Sequence, residues 1–186
     1  MPKAPPPLLT LEPLIEAVQD GIVQAGWALS GFQKTTSHQF EGQWQGESSR
    51  SAYLFFHREE MPDFVSIDVF LDETSKGLQG NIALVVEGPA LATLPPMGEF
   101  LSRLAQASRE SLPKGYRTPL TVRLRMDGPE EDPSDADSEI RLKLRIPSNA
   151  LDAGAAAVSA LASSTVAAFE RAIEHSAFVP LLIDGE

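Results

Sequence analysis

The sequence predicts an α+β fold: an antiparallel sheet of five to six strands with helices packed on it, in the order αββββαββα. Three observations lead there. Apolar residues recur at helical spacing near residues 11–25, 97–112 and 149–175. Between these stretches the period drops to two, as in strands with one wet face. Short Gly, Pro and Asp clusters separate consecutive strand-like runs, which favours hairpins over helical crossovers.

Each element has its own signal. Residues 1–9 are Pro-rich and read as an extended arm before a single domain over 10–177. Thr10 is a suitable N-cap, and Pro13 falls in the first turn, where its missing N–H costs nothing. Leu11, Leu14, Ile15, Val18, Ile22 and Ala25 then form an apolar stripe that Gly26 stops. His38, Phe40, Gly42 and Trp44 alternate with polar residues and predict a first strand. Residues 52–57 are apolar on both faces and predict a central strand. Residues 64–72 place Val65, Ile67, Val69 and Leu71 on one face, and 78–87 follow after a Lys76-Gly77 turn. Pro96 opens the middle helix, with Met97, Phe100, Leu101, Leu104, Ala105 and Leu112 as its stripe. Two more alternating strands, 120–127 and 139–146, flank an acidic loop at 127–139. The last helix, 149–175, is Ala-rich, with Val158, Leu161, Thr165, Phe169 and Ile173 on one stripe. An apolar tail, 178–186, outlasts it.

Composition narrows the chemistry. The 186 residues carry 15 Lys and Arg against 26 Asp and Glu, a formal net charge of −11. That field opposes general binding to nucleic-acid backbone. Seven of the acids fall within 127–139, so the remaining chain holds 19 acids against 15 bases. The absence of Cys removes disulfides, thiolate metal sites and thiol nucleophiles. No apolar run reaches membrane-spanning length, and the N-terminus lacks the apolar core of a secretory signal, so a cytoplasmic location is expected. No GxSxG elbow, phosphate-binding GxxxxGK[ST] loop or HExxH pair is present, and His38, His57 and His175 lack metal-ligand spacing. No catalytic residue, metal or cofactor is assigned, and a non-enzymatic role is expected.

Two constellations remain. Arg123 and Arg125 share one face of their strand, and Arg141, Lys143 and Arg145 share one face of the next. Paired as a hairpin, these five would form a basic strip, met either by the neighbouring acidic loop and solvent or by an acidic partner. Tyr53, Phe55, Phe64 and Phe70 fall on the nominal outer sheet face, and such an aromatic patch marks an interface.

The element order, the size and the acidity resemble the type III secretion chaperone-like fold. The resemblance spans about residues 10–176 and implies a small, cytoplasmic, homodimeric protein that binds a segment of a partner protein. A structural subunit of a larger assembly and a toxin-neutralising immunity protein are the alternative expectations.

Overall fold

A computed structural model describes residues 9–37, 49–87, 120–126 and 138–175, together with Ser102, Ala105, Gln106, Arg109 and Glu110. The fold is α+β, with one antiparallel sheet covered by helices. Chain order is α1 (Leu11–Gln24), β1 (Ala28–Ser37), β2 (Ser49–His57), β3 (Val65–Thr74), β4 (Gly77–Glu87), β5 (Leu120–Met126), β6 (Ser138–Arg145), α2 (Ser148–Ala153) and α3 (Ala155–His175). The five residues described between 102 and 110 are helical, within the span expected for a middle helix. The Pro-rich arm up to residue 8, the loop 127–137 and the tail 178–186 lie outside the described residues.

Helix α1 ends as its sequence predicts. Gly26 adopts φ +96, which a side chain would strain. The Gly26 N–H then donates to the Val23 carbonyl at 3.0 Å and the Trp27 N–H to the Ile22 carbonyl at 3.3 Å. This double closure satisfies two final carbonyls and buries Trp27 beside the helix end. The start differs from expectation. Thr10 occupies the N-cap position, but its hydroxyl makes no capping bond. Glu73 on β3 replaces it, with Oε2 accepting the Leu11 N–H at 2.8 Å. A carboxylate there also meets the positive end of the helix dipole. Arg50 bridges Glu73 to Glu12, each at 2.6 Å, and Lys34 reaches Glu12 at 2.6 Å. Lys34 first, and then Arg50, hold the Glu12 carboxyl down at about 2.

The strands lie in the order β1-β2-β3-β4-β6-β5, all antiparallel. Strands β1 to β4 form a meander, β5 joins at the far edge, and β6 returns between β5 and β4. The expected first strand over 38–45 lies outside the described residues, and β1 runs earlier, over 28–37. Its period is hidden by a register shift between Leu29 and Gly31. Leu29 pairs with Phe56 and Phe32 with Leu54, so both sit on the helix side although three residues apart.

The core lies between the helices and one sheet face. Leu54, Phe56, Ile67, Leu71, Ile82, Leu84, Leu142 and Leu144 meet Leu14, Val18 and Ile22 of α1 and the predicted stripe of α3. The last helix is not continuous. Gly154 adopts φ +98 and divides it into α2 and α3. Where α1 crosses α3, a Cβ on Gly21 would stand 2.3 Å from the Ser159 carbonyl oxygen and 2.9 Å from Ala162 Cβ. The small residues of α3 permit this close approach. Glu170 on α3 ties two further elements together: its Oε1 accepts the Trp27 indole N–H at 2.8 Å and pairs with Arg58.

Candidate functional site

Alternation leaves a second sheet face on the side away from α1, α2 and α3. Register places Tyr53, Phe70, Asn81 and Arg145 in one cross-strand row. The next row is Phe55, Asp68, Ala83, Lys143 and Thr121, and a third holds Val85, Arg141 and Arg123. An open depression of about 460 Å³ spans these rows, lined by Tyr53, Phe55, Asp68, Phe70, Asn81, Arg123, Glu139, Arg141 and Lys143 among others.

The aromatic end has defined geometry. The rings of Tyr53 and Phe70 lie 5.0 Å apart at 45°, a tilted contact between directly paired residues. The Phe55 ring lies over Gly31 of β1, where an added Cβ would stand 3.1 Å from Phe55 Cδ2. Tyr53 remains 37% exposed.

The basic end is partly neutralised. Arg141 Nη1 meets Asp68 Oδ2 at 3.1 Å, and Arg141 Nε donates to Glu139 Oε1 at 3.0 Å. Burial pushes the Asp68 carboxyl above its ordinary value, and Arg141 offsets this only in part. Burial draws the Arg141 guanidinium down, but Glu139 and Asp68 more than compensate and hold it above its usual value. Lys143 and Arg123 are exposed and make no ion pair among the described residues.

Of the nine residues singled out in sequence, the depression unites six: Tyr53, Phe55, Phe70, Arg123, Arg141 and Lys143. Arg145 lines an adjoining hollow of about 300 Å³ with Phe70, Asn81 and Thr121. Arg125 is opposite Glu139 in register. Phe64 departs from the expected patch: it precedes β3 and packs against the core. In register the basic strip contains one directly opposed like-charge pair, Arg123 opposite Arg141. Asp68, Asn81 and Glu139 were not singled out in sequence. Asp68 had a signal, being an acid flanked directly by the core residues Ile67 and Val69.

His57 takes part in a surface contact, its Nδ1 2.7 Å from Ser30 Oγ. Among the described residues no cluster of His, Asp and Glu could hold a metal ion. No helix described is long and apolar enough to cross a membrane. Compared with protein-family models, curated proteins and solved structures, the chain matches none.

Proposed function

We propose that this chain is a non-enzymatic protein-binding module, a homodimeric chaperone or adaptor of the cytoplasm that takes a segment of a partner protein on the outer face of its sheet. One observation carries it: aromatic and basic side chains, Tyr53, Arg123 and Lys143 exposed among them, share a single depression on the face that α1, α2 and α3 do not cover. Aromatic residues beside cations with no ion-pair partner among the described residues suit a partner that brings both apolar and acidic groups.

Strand β1 suits the second copy. It is an edge strand, and Leu29 and Phe32 on its helix side are 37% and 51% exposed. Edge backbone groups add main-chain pairing to such an apolar contact.

Light scattering on the purified protein, with affinity capture from its native host, tests both parts. A dimer that captures one specific protein, and loses it on Tyr53→Ala with Phe70→Ala, is the expected result. A strict monomer that captures nothing overturns the proposal. Assembly well beyond a dimer would instead favour a structural subunit.

A further inference from the structure

Resting on the outer face as the partner-binding surface, we infer that the bound segment is extended, crosses the strands from β3 to β6, and carries an apolar residue about four positions from an acidic one.

The two ends of the depression differ in chemistry. The Tyr53–Phe70 pair offers a ring-lined shelf for an apolar or aromatic side chain. At the other end, charge accounting among the described residues leaves two cations unmet. Asp68 and Glu139 both engage Arg141, and Asp68 also accepts from Ser66 Oγ at 3.3 Å. Lys143 and Arg123 have no such partner among the described residues. A carboxylate placed between them completes the balance, and a surface beside buried apolar strands screens that attraction less than open water.

The floor between the ends suits a backbone. Asn81 lines the depression between them, and its amide offers both a donor and an acceptor to a passing peptide unit. The separation follows from register. Phe70 and Lys143 are two strands apart and one row displaced. At ~4.8 Å per strand and ~3.4 Å per residue their Cα atoms lie ~12 Å apart, about four residues of extended chain.

Polyanions fit poorly, because Asp68 and Glu139 stand inside the same depression and would repel a run of phosphates. The chain's own segment 127–137 offers acids but no large apolar residue to anchor them.

Fluorescence anisotropy with labelled peptides tests the inference. Each peptide carries one Phe and one Glu, separated by one, about four or about eight residues in a Gly/Ser background. The separation of about four should bind tightest. Lys143→Glu or Arg123→Glu should weaken it by about tenfold or more, and replacing the peptide Glu by Lys should restore binding to the variants. Unchanged thermal midpoints check that the variants fold. Equal affinity at every separation, indifference to Lys143→Glu, or no binding by any peptide overturns the inference. So does tighter binding by a peptide of residues 178–186, which would make the chain itself the occupant. Host-protein capture that depends on Tyr53 and Phe70, but without the spacing preference, would sink this inference and leave the binding module standing. Capture indifferent to Tyr53 and Phe70 would sink the module's assignment to this face.

Discussion

Arg141 Nη1 lies 3.1 Å from Asp68 Oδ2, although strand β4 runs between their two strands. Ala83 makes this reach possible. It is the β4 residue paired with Asp68, and its methyl group leaves the guanidinium room to cross. The pair therefore links β3 to β6 above the sheet and sets which cations remain for a partner.

Asp68 gives a pH test with a definite sign. Its folded value is raised above 3.8, so the folded state holds the proton more tightly than the unfolded chain does. That stabilising contribution is complete below 3.8 and is lost as pH rises through the raised folded value. Asp68→Asn, whose neutral amide resembles the protonated acid, should therefore lie closest to the wild type in acid and gain on it as pH rises through the raised value. Urea unfolding at a series of pH values reads this, and a large loss confined to neutral pH would refute it.

Glu12 should behave in the opposite way. Lys34 and Arg50 hold it at about 2, against an ordinary value of 4.5. Its contribution is present above 4.5 and disappears as pH falls toward about 2. Thermal melts of Glu12→Gln should show a shallower acid decline across that window. Because Glu12 is solvent-exposed, the difference should be small and should shrink in high salt.

Gly21→Ala probes the crossing of α1 and α3. The new methyl would meet the Ser159 carbonyl, which is backbone and cannot rotate away. A loss of about 1–3 kcal/mol in chemical denaturation is expected. Gly154→Ala has open space around it but a positive φ, so its cost should come from backbone strain alone, about 1–3 kcal/mol. Only Gly21→Ala should be partly relieved by a second change, Ala162→Gly.

Glu170→Ala removes the acceptor of a buried indole. Trp27 is 1% exposed, so its N–H would be left without that partner. Arg58 would lose a partner as well. About 1–3 kcal/mol should disappear from the unfolding free energy. Glu170→Gln should recover part of it, since an amide oxygen still accepts the indole proton.

Most of the fold was legible because its signals are local. The stripes of α1 and α3, the Gly26 stop and strands β2 to β6 each declare themselves within about ten residues. Strand β1 was not legible. Its two large apolar residues are three apart, and only the register shift at Ser30 puts them on one face. The division at Gly154 was hidden in an Ala-rich run that reads as one helix. Both aromatic and basic sets were visible as separate patterns, but their meeting was not.

By itself, then, the sequence determined the α+β class, the helix stripes and the residue types available for a partner. Alternation and helical period are properties of neighbours along the chain, so they survive without coordinates. The tertiary structure alone decided that β6 lies beside β4, which carries Arg141 and Lys143 to the rings of Tyr53 and Phe70. It alone decided that Asp68 and Glu139 satisfy Arg141, and that Glu73 caps α1 in place of Thr10. Those relations join residues up to some ninety positions apart, and strand order, which local period does not encode, is what brings them into contact.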